Sequence, residues 1–217
     1  MEITWFGHSC FRLRDRDVTV VTDPFDASLG YTLPQVQADI VTTSRNHPHH
    51  SYLPAVKGDF RLLDSPGEYE IRSVFVIGIA TYSSRRSAAS DNQADERNVV
   101  FVFEFDGLTV CHLGDLRQVP SRAQVEAFGE VDVLLVPVGD GDQGALNAAQ
   151  AAEVVSLIEP SIVIPMHYKT AATTIRMDGV DKFLKEMGVG RIEPMDSLKV
   201  TATSLPQPTQ VVVLNPR

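Results

Sequence analysis

Apolar and polar positions in the first half of the chain follow one another in short runs with a period near two. Stretches 3–6, 10–14, 18–22, 39–43, 60–63, 70–78 and 99–105 are rich in β-branched or aromatic residues and are bounded by Gly, Pro, Asp or Ser, which predicts short strands. Asp106-Gly107 separates two alternating runs. Both residues tolerate positive φ, so 99–105 is predicted to form a hairpin with 108–112. Downstream the period lengthens. Ser121 with Gln124, then Asn147, then Asp178 each precede a helix-like stretch and predict three helices, the second running to about 158 and the third ending at Gly188. The unbroken apolar runs 133–137 and 162–165 read as strands covered on both faces, and 198–203 and 211–214 return to strand. A strand meander followed by alternating strands and helices predicts two sheets packed face to face with helices outside.

Composition narrows the class. A hydrophobic fraction of 43% with 22% charged residues is ordinary for a globular domain, and no apolar run approaches the roughly 20 residues that span a bilayer. The first residues already read as strand, with no basic and apolar leader, which predicts a cytoplasmic protein. Cys10 and Cys111 each sit in an apolar run and read as buried thiols rather than a disulfide. The net charge of -9 argues against nonspecific attraction to nucleic acid, although Arg85, Arg86 and Arg97 form a local basic patch. That patch lies in the polar stretch 83–97, which is expected to be a mobile loop, either inert or a lid. Homo-oligomerisation stays open.

Candidate chemistry concentrates at predicted strand ends. His47, His49 and His50 follow the strand-like run 38–43, Asp115 follows 108–112 by way of Gly114, and His167 follows 162–165. Imidazoles and a carboxylate are the ligands that zinc takes, and strand ends in a layered α/β fold converge on one edge. Gly114 permits a sharp turn that would aim Asp115 inward.

Several segments in this order resemble the metallo-β-lactamase fold hydrolases, in the branch similar to ascorbate-6-phosphate lactonase and uncharacterised Zn-dependent hydrolases. They are 4–11 (TWFGHSCF), 22–24 (TDP), the His47 cluster, 66–70 (PGEYE), 112–115 (HLGD), 131–137 (VDVLLVP) and 164–168 (IPMHY). The resemblance implies an α/β four-layer αββα sandwich, with 1–217 as one domain of two pseudo-repeated halves meeting near 115–130. It also implies a metal motif His-x-His-x-Asp-His, which is degenerate here. Arg45 stands at the first histidine, His49 at the aspartate, and Ser83 where relatives carry a histidine after Thr81-Tyr82. Of the first metal's ligands only His47 survives. The second metal's set becomes His49, His50, Asp115 and His167, with His49 optional, so at most one ion is expected: zinc, with manganese or iron as alternatives. An arginine has no lone pair to donate, and Arg45 is expected to serve as a fixed cation that holds an anionic substrate group.

Supporting roles follow from position along the chain and, for His8, from the resemblance. Asp23 is expected to orient a histidine ring or to cap a turn, and His8 to line the pocket rim. His112 is expected to make a structural hydrogen bond or to support the site, Glu68 to lie in a turn or face the site, and Tyr168 to stabilise an oxyanion. The expected function is a metal-dependent hydrolase of an ester, lactone or phosphoester on a small anionic molecule, with Asp115 as ligand or general base. The alternative is a noncatalytic binding member whose metal site has decayed.

Overall fold

A computed structural model describes residues 1–83, 97–139 and 144–217. Arg85, Arg86, most of the predicted loop 83–97 and residues 140–143 lie outside the described residues. The strands in chain order are β1 (Glu2–Gly7), β2 (Cys10–Asp15), β3 (Val18–Thr22), β4 (Val36–Gln37), β5 (Ile40–Thr42), β6 (Val56–Lys57), β7 (Arg61–Leu63), β8 (Gly67–Ile71), β9 (Val74–Tyr82), β10 (Arg97–Phe105), β11 (Leu108–His112), β12 (Val133–Pro137), β13 (Ile162–Met166), β14 (Leu198–Lys199) and β15 (Gln210–Val211). The helices are α1 (Arg122–Phe128), α2 (Ala148–Ile158) and α3 (Val180–Glu186). Two sheets form, ordered β14-β1-β2-β3-β5-β7 and β15-β13-β12-β11-β10-β9-β8, while β4 pairs with β6.

The core lies between the sheets. Alternation sends Ile3, Trp5, Phe11 and Leu13 inward from β1 and β2, and they meet Phe101, Phe103, Leu135 and Ile164 of the other sheet in one buried cluster. Phe101 is registered opposite His112, whose ring lies 6.2 Å from that of Phe11 and whose Nε2 donates to the Ser9 carbonyl at 2.9 Å. His112 therefore ties the sheets together within the core. Helix α2 packs on β12 and α3, and α1 packs on β9, so α-helices cover the seven-stranded sheet. The outer face of the six-stranded sheet carries a second apolar cluster that includes Phe6, Val21, Phe25 and Tyr31. Short 3-10 turns, irregular chain and the β4–β6 pair stand there in place of α-helices among the described residues.

Locally encoded elements fall where the pattern put them. The hairpin of 99–105 with 108–112 forms, and Ser121 with Gln124 and Asn147 with Gln150 form reciprocal capping boxes. Stretch 70–78 instead contains a turn: β8 ends at Ile71 and β9 starts at Val74, with Arg72 at φ 56. Helix α3 is capped by Gly179 rather than Asp178, whose carboxylate pairs with Lys182 at 2.7 Å. In the tail the strand stops at Lys199, and residues 202–204 form a 3-10 turn. Both cysteines are free and buried, and desolvation pushes both thiols up. No helix among the described residues is long and apolar enough to cross a membrane.

Candidate metal centre

Five strands deliver polar groups to one edge from their carboxyl ends. His8 follows β1, Asp23 follows β3, the turn 44–51 follows β5, Asp115 follows β11 and His167 follows β13. His8, Asp23 and His167 hold φ values of 50, 40 and 53, the left-handed region that non-glycine residues enter at a cost of about 1–3 kcal/mol each. Strain gathered at one edge points to function there.

One ligand atom from each of His8, His50 and His167 lies within 4.8 Å of the others, and all three residues are buried. Their rings are close: centroids are 4.0 Å apart for His8 and His167, 4.9 Å for His8 and His50, and 6.0 Å for His50 and His167. Asp23 Oδ2 sits 2.8 Å from His50 Nδ1, and its carboxylate also accepts from the Ser44 backbone N–H at 2.7 Å and the Ser44 hydroxyl at 2.5 Å. The His50 ring is thus fixed through one nitrogen, the arrangement usual for a metal-binding imidazole. Both ring nitrogens of His8 and of His167, together with Asp115 Oδ1, are buried with no hydrogen-bond partner among the described residues. Leaving a buried polar atom unsatisfied costs about 1–3 kcal/mol, so a cation shared by these groups fits the donor set.

The electrostatics keep His8 and His167 neutral. Burial depresses His167 to about 4, against the opposing pull of Asp115, and burial with repulsion from His167 and His50 carries His8 well down. Neutral rings keep a lone pair for a metal at ordinary pH. Burial alone raises the Asp115 carboxyl, but His50, Arg117, His167 and Arg45 outweigh it and hold the pKa below the usual range. Asp115 is therefore ionised.

Its two oxygens have different surroundings. Oδ2 accepts from Arg45 Nη1 at 2.9 Å and from Arg117 Nε and Nη2 at 3.0 and 2.7 Å, while Oδ1 lies 3.9 Å from His167 Nε2. Asn98 Oδ1 accepts the Asp115 backbone N–H at 2.8 Å, and Asn98 Nδ2 donates to the Leu113 carbonyl and to Thr81 Oγ1. Gly114, at φ 62, makes this approach possible: a Cβ there would stand 2.3 Å from Ser44 Cβ and 2.6 Å from Asn98 Oδ1.

Of the residues singled out from sequence, His50, Asp115, His167, Asp23 and Arg45 come together here. His8 lies at the centre of the cluster instead of at its rim. His49 has its ring 5.8 Å from that of His8 but its Nε2 engaged at 3.1 Å from Ser28 Oγ, and its backbone N–H donates to His47 Nδ1 at 3.2 Å. Neither His47 nor His49 joins the three grouped imidazoles. Tyr168 is buried with its ring 5.0 Å from that of Trp5. Glu68 is exposed on the edge strand β8, registered opposite Ile77 and away from the Thr81 end of β9. Arg117, Asn98 and Ser44 were not singled out; only the position of Arg117 two residues after Gly114-Asp115 hinted at one of them.

A family model described as the beta-lactamase superfamily domain matches residues 2–167. The chain belongs to the metallo-β-lactamase superfamily. This superfamily member is 42% identical to a Thermotoga maritima protein assigned to the Zn-dependent hydrolases of the metallo-β-lactamase superfamily, with a TM-score of 0.79 over 98% of this chain and 97% of that one. A UPF0173 protein of Pyrococcus furiosus is 28% identical over 211 residues, 88% of this chain and 93% of its own length. A UPF0173 metal-dependent hydrolase of Salinibacter ruber is 27% identical over 204 residues, 78% of this chain and 85% of its own length.

Proposed function

We propose that this metallo-β-lactamase superfamily member is a hydrolase working with one divalent ion, held by His8, His50 and His167, on a small anionic ester, lactone or phosphoester. The observation that carries this reading is the buried imidazole trio with unpartnered nitrogens beside the ionised, half-engaged carboxylate of Asp115. Zinc suits three imidazole nitrogens with a fourth position left for water or substrate, and manganese or iron are the alternatives. When bound, such an ion supplies Lewis acidity, polarising a carbonyl or phosphoryl oxygen and lowering the pKa of water beside it.

The chain's own groups do the rest. Asp23 orients His50. Asp115 Oδ1, the oxygen left open, accepts the proton of the attacking water. Arg45 and Arg117 fix the other oxygen, so the carboxylate keeps one orientation. Their side chains are 17% and 23% exposed, which leaves cationic groups at the mouth for an anionic substrate. Arg45 puts fixed positive charge at a motif position that has lost a first-metal ligand, which favours a single ion.

Hydrolysis of a panel of aryl phosphates, aryl esters and lactones tests the reading. Turnover of an anionic member that chelator abolishes and zinc restores is expected. A protein that binds metal stoichiometrically yet turns over nothing supports a noncatalytic binding role instead.

A further inference from the structure

We propose that the outer face of the six-stranded sheet carries a second ligand site, a basic cleft that takes a small organic polyphosphate such as a nucleoside di- or triphosphate. Alternation along β2 sends Phe11 and Leu13 into the core, so Arg12 and Arg14 point outward. Register places Thr4 and Val21 beside Arg12, and Glu2 and Thr19 beside Arg14. Over this face lies a cavity of about 860 Å³ whose lining includes Arg12, Arg14, Thr19, Gln35, Gln37 and Arg217. That volume is within the range of small-molecule sites.

The charge in the cleft runs against the protein as a whole, which carries a net -9. Asp17 also lines the cleft, and Glu2 lies 3.8 Å from Arg12. Arg16 lines it too but is paired with Asp106. With Glu2 counted beside Asp17, Arg12, Arg14 and Arg217 face two carboxylates, which leaves an excess of positive charge. Arg12 Nη2 donates to Thr4 Oγ1 at 3.2 Å, while its Nε is buried with no partner among the described residues. A buried, unsatisfied guanidinium N–H at the edge of a cavity is what an anionic oxygen would complete.

Size selects among anions. Alternate residues on a strand stand about 7 Å apart, so Arg12 and Arg14 suit two phosphates of one molecule better than a single orthophosphate. The side-chain amides of Gln35 and Gln37 offer both donors and acceptors to an organic moiety. The cleft is distinct from the histidine cluster. On β3, Val21 stands between Thr19 of the cleft and Asp23, and on β1, Phe6 stands between Thr4 and His8; both belong to the apolar cluster on this face.

Calorimetric titration of the metal-loaded protein with sodium tripolyphosphate tests the proposal, alongside Arg14→Glu and Gln37→Glu, two exposed positions where folding is checked by circular dichroism. Because polyphosphate also chelates divalent ions, the titration is repeated on His50→Ala, which lacks a proposed metal ligand. Expected are binding that weakens at least about tenfold in Arg14→Glu, weakens in Gln37→Glu, survives in His50→Ala, and falls steeply as salt rises from about 50 to about 300 mM. Absence of binding overturns the proposal. So does binding that both cleft variants leave unchanged, binding lost only in His50→Ala, or orthophosphate binding as tightly as tripolyphosphate. A single-stranded RNA whose affinity grows with length and exceeds that of tripolyphosphate would also overturn it.

Discussion

The imidazole rings of His8 and His167 lie with centroids 4.0 Å apart and planes tilted by 37°. They come from different sheets, and the His167 backbone N–H donates to the His8 carbonyl at 3.0 Å, so the main chain holds the two together. Burial keeps both neutral, and no nitrogen of either ring has a hydrogen-bond partner among the described residues. Apolar residues would pack such a spot at lower cost, since each unsatisfied buried nitrogen loses its hydration without return. The cation proposed above accounts for the pairing.

His8 should therefore matter to metal binding far more than its position before a tight turn suggests. His8→Ala is expected to lower zinc affinity by at least about 100-fold, more than loss of a supporting hydrogen bond usually does. His49→Ala should leave it close to wild type. Competition with a chromophoric chelator reads both, and the reverse order would move the ligand set toward the His47 turn.

The two arginines on Asp115 Oδ2 back each other up. Either Arg45→Ala or Arg117→Ala leaves one guanidinium on that oxygen and should cost about 0.5–1 kcal/mol of stability, whereas the double variant leaves a buried carboxylate unpaired and should cost about 3–5 kcal/mol, more than the two single losses together. Urea unfolding of the four proteins measures the coupling. Strict additivity would show that the two do not act on one group.

Gly114 should tolerate no side chain. A methyl group there meets Ser44 and Asn98 at distances that real Cβ atoms do not show, on a backbone at φ 62. Gly114→Ala is expected to destabilise the fold by about 2–4 kcal/mol through overpacking and left-handed strain, and to weaken zinc binding by displacing Asp115. Calorimetric melting and the chelator titration should move together. A stable variant with intact affinity would contradict the role given to this turn.

Metal-free protein should be acid-sensitive in a definite window. His167 sits at about 4 when folded, because burial penalises its charged form, against 6.5 when unfolded. Between those values the unfolded chain binds a proton that the folded chain refuses. This contribution is present in full above about pH 6.5 and is lost as pH falls through 4, an effect of about 3 kcal/mol. His8 is depressed for the same reason and acts with the same sign. Urea midpoints in chelator at pH values of about 7.5 and 4.5 should differ accordingly, and His167→Gln should narrow the gap.

What the sequence made legible was local. Asp106-Gly107 marks its hairpin and Ser121 with Gln124 its helix start because a turn or cap is specified within a few residues. The turn at Arg72-Ser73 carries no glycine or asparagine, so β8 and β9 read as one strand. At the site, His50, Asp115 and His167 are legible because each ends an apolar strand. The depth of His8 depends on how closely β1 approaches β13 of the other sheet, and no local pattern encodes that. His49 is adjacent in sequence to His50 yet its Nε2 meets Ser28, and Arg117 reaches the Asp115 carboxylate across a bend at Asp115 itself.

Anomalous scattering at the zinc edge from crystals of protein purified without chelator tests the central claim most directly. One peak is predicted, at about 2.0–2.1 Å from an imidazole nitrogen of each of His8, His50 and His167. A second peak beside Arg45, a peak held by His47 and His49 instead, or no peak after zinc is added would contradict it.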